Sequence, residues 1–151
     1  MEPFEGLNWA VIKRIQVILY EFVSFPLYQN QIDFDDILIE NGKNFEEIPF
    51  IFESALFREN EESTNSGIKW LKEAVLMVPK LRNEVSEFLK NYAGRKLLLL
   101  ITDMNNENHL VFPMRMTRQR NIPGRATGLN ATEITFNGEW TGESPSVVNM
   151  S

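Results

Sequence analysis

The stretch Lys96-Leu97-Leu98-Leu99-Leu100-Ile101-Thr102-Asp103 decides how this chain is read. Four leucines and an isoleucine in succession, bounded by charge on both sides, are too short a run for an ordinary helix and read as a buried strand. Asp103-Met104-Asn105-Asn106-Glu107-Asn108 is turn chemistry, so His109 to Thr117 returns as the partner strand. Pro113 cannot donate to a ladder, which places part of that return at an edge or a bulge. Arg118 to Leu129, with Pro123, Gly124 and Gly128, reads as a loop. Thr132, Ile134 and Phe136 then alternate with Glu133, Thr135 and Asn137, the period-two pattern of a strand with one face inward. Residues 141–151 read as a frayed tail.

Working back from Lys96, the spacing predicts one helix, over about residues 80–93. Pro79 suits a first turn, where a missing N–H costs nothing. Leu81, Val85, Phe88, Leu89 and Tyr92 form one stripe, Glu84 and Glu87 stand nearer its start than Lys90, and Gly94 is a natural stop.

Before it, residues 48–78 read as a long hairpin. Ile48 to Phe57 is an apolar run interrupted by Pro49, and Arg58 to Gly67 is ten polar or glycine positions expected to form a loop. Ile68, Trp70, Ala74, Leu76 and Val78 follow at even spacing, on one strand face. Lys72 breaks that set, and a helix through 69–77 remains the alternative. Residues 11–23 favour a strand by their β-branched and aromatic content, although Trp9, Ile12, Ile15, Leu19 and Phe22 also fit one helix face. A short strand at Ile37-Leu38-Ile39 precedes an Asn41-Gly42 turn.

The chain has 151 residues and no cysteine, with 43% apolar and 24% charged residues. That is room for one globular domain with a real core. It leaves no disulfide, thiol catalysis or thiolate zinc site. No run approaches the roughly 18 apolar residues of a membrane helix. The opening Met-Glu-Pro-Phe-Glu-Gly is acidic, unlike a signal peptide, so the expected origin is cytoplasmic with no membrane partner. The formal net charge of −6 divides unevenly, into −9 over residues 1–66 and +3 over residues 67–151. That asymmetry suits either solvated faces or head-to-tail self-association, acidic surface to basic surface. An acidic chain is a poor candidate for gripping nucleic acid.

Candidate chemistry is sparse. Asp103, Asn105 and Glu107 have the opening spacing of a calcium loop, but Asn108 stands where glycine is needed and Met114 where glutamate is needed. His109 is the sole histidine, so no His-His metal pair exists, and no Gly-x-Ser-x-Gly elbow presents a nucleophile. The adjacent carboxylates Asp35-Asp36 and Glu46-Glu47 point to opposite faces if in strands. Gly124 to Gly128 lacks the lysine and context of a phosphate loop. Arg115, Arg118, Arg120 and Arg125 are the densest basic group, without interleaved aromatics for base stacking. The reading is of a protein without catalytic, metal or cofactor residues.

The order of elements carries a resemblance. Val78-Pro79-Lys80 leads into the helix, then Leu-Leu-Leu-Leu-Ile-Thr-Asp-Met-Asn-Asn-Glu-Asn-His-Leu-Val, a loop, and Gly-Leu-Asn-Ala-Thr-Glu-Ile-Thr-Phe-Asn-Gly. Over residues 68–145 this resembles small structural proteins of the tail-tube type encoded by phages and prophages of Bacteroidetes bacteria. It departs where Asp103 is followed by Met-Asn-Asn instead of Asn-Gly.

The resemblance implies a tail-tube-like fold: an α+β, mainly β domain whose antiparallel or mixed sheet closes into a sandwich or barrel with one flanking helix. It further implies a virion protein, made in the bacterial cytoplasm, that assembles with its own copies into rings of about six. Neighbouring tail or connector proteins would be its other partners and DNA only passing cargo. Its interface would use the loop residues Arg58, Glu59, Glu61, Glu62, Asn65 and Gly67, with Arg115, Arg118 and Arg120 as partners for an acidic face. The competing readings are a bacterial adaptor or ligand-binding module without catalysis, and, more distantly, a small hydrolase using His109.

Overall fold

A computed structural model describes residues 11–51, 54–79, 87, 89–121 and 131–150. Among these, eleven strands account for nearly all the regular structure: β1 (Ile12–Leu19), β2 (Val23–Ser24), β3 (Gln31–Asp33), β4 (Leu38–Ile39), β5 (Glu46–Glu47), β6 (Leu56–Thr64), β7 (Gly67–Pro79), β8 (Leu97–Asp103), β9 (Asn108–Asn121), β10 (Ala131–Trp140) and β11 (Ser146–Val148). The chain is mainly β and its sheet antiparallel, apart from one short parallel pair between β11 and β3. The strand preferred for residues 11–23 is present as β1.

The main path runs β5-β1-β8-β9-β10-β7-β6. Its pivot is the long strand β9. Asn108–Met114 pair with β8, whereas Arg115–Asn121 pair with β10. Between the two ladders, Leu97 and Leu99 of β8 face Met114 and Val111 of β9, so three steps oppose two. This is a β-bulge, and it contains Pro113, whose missing N–H suits the unpaired position. β10 crosses β9 closely there: a Cβ on Gly138 would lie 1.8 Å from the Pro113 carbonyl oxygen. Only glycine fits.

One wing of the sheet, β5-β1-β8 with the first half of β9, and the other, the second half of β9 with β10-β7-β6, share one apolar core. Ile15, Val17, Leu97, Leu99, Ile101 and Val111 meet Ala74, Leu76, Val78, Ile134 and Phe136 there. A second core lies on the opposite face of the first wing. Leu98, Leu100, Leu110 and Phe112 pack against Ile32, Ile37, Val147 and the aromatic side chains of Phe22, Phe25 and Phe34. β8 is therefore covered on both faces, which is why its sequence is continuously apolar.

Four expectations change. The described strands do not close into a barrel, since β5 and β6 end the path and pair with nothing beyond it. The expected helix falls largely outside the described residues; Glu87, Leu89 and Lys90 are helical, too few to show a helix. The turn after them does end at Gly94 with φ of 72°. Of the loop expected from Arg118 to Leu129, residues 118–121 belong to β9 instead, and residues 122–130 lie outside the described ones. Finally, the tail expected to fray holds β11, with Val147 buried between β3 and β9. Three residues at the end of a polar stretch give no strand signal; the open slot beside β9 makes them one.

Candidate interaction site

The ten polar positions expected to form a loop are a hairpin instead. β6 pairs with β7 from Leu56↔Val75 to Thr64↔Gly67, leaving only Asn65 and Ser66 in the turn. Gly67, with φ of +119°, takes the conformation that side-chain-bearing residues avoid. The Thr64 hydroxyl fixes the turn by donating to the Gly67 carbonyl at 2.7 Å and accepting the Ser66 N–H at 3.2 Å. A strand needs only a partner for its backbone, and β7 supplies one whatever β6 carries on its side chains.

Alternation then sorts the charges of the hairpin. On the outer face Arg58 meets Glu73 at 2.5 Å, and Lys69 lies 3.6 Å from both Glu62 and Glu139. These pairs are exposed and each is worth a fraction of a kcal/mol. On the inner face, Phe57 and Glu59 stand opposite Ala74 and Lys72.

Lys72 does not break the inward pattern of β7; it continues it. Its ammonium is fully buried, 3.6 Å from Glu59 Oε2, 3.4 Å from the Phe112 carbonyl oxygen and 5.2 Å from the centre of the Phe112 ring. Glu59 Oε2 also accepts the Ser144 N–H at 2.9 Å and the Ser144 hydroxyl at 2.6 Å. Burial pulls the Lys72 pKa down, and the Glu59 carboxylate beside it works in the opposite direction. The cluster ties the hairpin to the segment leading into β11. Sequence reading missed it, yet a signal existed: centring the hairpin on Asn65-Ser66 puts Glu59 directly across from Lys72.

The arginines occupy the other side of the same wing. Arg115 and Arg118 are exposed on β9, on opposite faces: Arg115 pairs in register with Asn137 and Arg118 with Ile134. Arg115 Nη1 donates to the Gly94 carbonyl at 3.0 Å. Arg120 stands opposite Thr132. All three line one strand, and among the described side chains Arg115 and Arg118 do not converge on one pocket. In the order β9-β10-β7-β6, the arginines and the glutamates of β6 lie on the two outermost strands. Two strands separate them, so roughly 14 Å of sheet lies between the groups at about 4.8 Å per strand.

The calcium-like spacing serves the turn between β8 and β9. Asp103 Oδ1 accepts the N–H groups of Asn105 at 2.9 Å and Glu107 at 3.0 Å, and Asn106 takes a positive φ of 63°. Asp103 Oδ2 is 3.6 Å from His109 Nε2. His109 borders a cleft of about 320 Å³ that Glu59, Glu143, Ser144 and Ser146 also line. A second cleft, of about 450 Å³, lies between Phe22, Lys43, Tyr92 and Arg95, where the Tyr92 hydroxyl donates to Glu46. Among the described residues no three His, Asp or Glu side chains are grouped to hold a metal ion, and no helix is long and apolar enough to cross a membrane.

No family model, curated protein or solved structure matches this chain.

Proposed function

We propose that this protein is a structural subunit that works by assembling with its own copies, as a component of a phage tail tube or of an adjoining tail or connector ring. The observation that carries the assembly reading is the state of β6. It is nine residues long, exposed along most of its length, and hydrogen-bonded on one side only among the described residues. Long unpaired edges template pairing with another chain, and proteins that do not use them shorten, cover or charge them. β6 is long and, among the described residues, uncovered, and its charges restrict which partner it can take. The charge asymmetry of the chain, −9 over residues 1–66 and +3 over residues 67–151, supports assembly through oppositely charged surfaces. The phage setting rests on the resemblance of residues 68–145, and with it the virion location and DNA as passing cargo.

Light scattering of the purified protein, followed by negative-stain microscopy, tests the reading. Concentration-dependent oligomers, rings or tubes are expected. A monomer at every concentration reached would overturn self-assembly and favour an adaptor that binds a different protein.

A further inference from the structure

Among the described residues, the wing β9-β10-β7-β6 has no strand beyond either end. At one end is β6. At the other is the second half of β9: Arg115–Asn121 pair with β10 and, among the described residues, with no strand on their far side. The two free edges carry opposite charge. β6 holds Glu61, Glu62 (paired with Lys69) and Glu59 (paired inward with Lys72) against a single Arg58, whereas the β9 edge holds Arg115, Arg118 and Arg120 and no acid. Resting on the self-assembly reading above, we infer that β6 of one copy adds antiparallel to the Arg115–Asn121 edge of the next.

Strand direction permits it. Each pairing in this wing is antiparallel, so the four strands alternate and the two outermost run in opposite senses. A copy added head to tail places its β9 antiparallel to the exposed β6, and the alternation continues without a parallel junction. Such a contact is heterologous, with different surfaces on the two sides, so repetition gives a closed ring or an open filament.

Register sharpens the match. The face shared with the core carries Phe57, Glu59 and Glu61 on β6 and Met116 and Arg118 on β9, and Arg120 follows in the same register. Two registers pair all seven β9 positions while keeping core-side residues on one face. The first sets Glu59 opposite Arg118 and Glu62 opposite Arg115. The second sets Glu61 opposite Arg118 and Glu59 opposite Arg120. In both, Arg58 faces an uncharged residue, Gln119 or Asn121. Opposite charges directly across a ladder stabilise it, and like charges oppose it.

Two-fold pairing of β6 with itself meets this criterion less well. At full overlap it sets Arg58 against Glu62 but also Glu59 against Glu61, and the neighbouring face-preserving registers put Glu59 or Glu61 against its own copy. The charges that blunt β6 toward arbitrary partners are thus the ones that select the β9 edge.

Sedimentation of the wild type, Glu61→Arg, Arg118→Glu and an equimolar mixture of the two variants tests the pairing, with far-UV circular dichroism as the folding control. Neither side chain forms an ion pair within the molecule among the described residues. Wild-type assembly should weaken with added salt, and each reversal should weaken it on the order of tenfold or more. The mixture should recover, because each variant keeps one native edge and the two reversed edges complement each other. Should Arg118→Glu not fold, Arg118→Ala replaces it, with a smaller loss expected. Wild-type-like assembly of Arg118→Glu, or no recovery in the mixture, overturns the edge pairing while leaving self-assembly intact. A wild type that never assembles overturns both.

Discussion

β8 and β6 belong to one continuous sheet and have almost nothing in common in composition. β8 reads Leu-Leu-Leu-Leu-Ile-Thr-Asp and is buried along nearly its whole length. β6 reads Leu-Phe-Arg-Glu-Asn-Glu-Glu-Ser-Thr and is largely exposed. The first is a strand because both faces are wanted by a core. The second is a strand because β7 offers its backbone a ladder and the Asn65-Ser66 turn sets the register. Strand formation therefore has two independent causes, burial and pairing, and only burial writes itself into composition.

Leucine truncations break that comparison most directly. Leu99 has no exposed surface, and Leu99→Ala removes its packing from the shared core. A loss of about 3–4 kcal/mol is expected from urea unfolding. A loss below about 1 kcal/mol would mean that β8 is not the packed centre of the sheet. The substitution also gives the scale for everything done to β6.

Next in size is Glu59→Ala, where the exposed strand reaches inward. It leaves the Lys72 ammonium buried without its carboxylate, and a loss of about 2–3 kcal/mol is expected. Lys72→Met, which fills the same space with an apolar chain, should stay within about 1 kcal/mol of the wild type, since buried pairs often replace well with hydrophobic side chains. Equal losses for the two variants would show that the pair itself, instead of the stranded charge, stabilises the hairpin.

Smallest is Leu56→Ala, the same chemistry as Leu99→Ala moved to the edge, where the residue is 46% exposed. A change within about 0.5–1 kcal/mol is expected. If it destabilises as Leu99→Ala does, β6 is held by its side chains and the distinction between burial and pairing fails. Measured in the assembled state, Leu56→Ala would also report whether the edge is covered by a neighbouring copy.

The hairpin and its arginine counterpart show where sequence reading stopped. Ile68, Trp70, Ala74, Leu76 and Val78 announced a strand, and Lys72 looked like an interruption because a lone lysine belongs in water. Its buried position depends on Glu59, thirteen residues away, and on the backbone oxygen of Phe112, forty residues away. Arg115, Arg118 and Arg120 looked like a patch because they are close in sequence. On a strand, odd and even positions part to opposite faces, so what they share is an edge. The closeness of Gly138 to Pro113 is equally silent in the sequence, since the two come together only where β10 crosses the bend of β9.

The sequence by itself determined that this is a β-rich chain with a strongly apolar strand at residues 97–102, a hairpin turn after Asp103 and an inward-facing Thr132, Ile134 and Phe136. These are local facts, fixed by period, burial demand and turn chemistry within a few residues. Only the tertiary structure decided that β8 is covered twice, that residues 58–64 are a strand and that Lys72 is buried against Glu59. It also decided that residues 146–148 fill a slot, and that one wing ends in an acidic and a basic edge. Each of these depends on which strand lies beside which, and backbone hydrogen bonds form between any residues that the chain brings into line, whatever their side chains say.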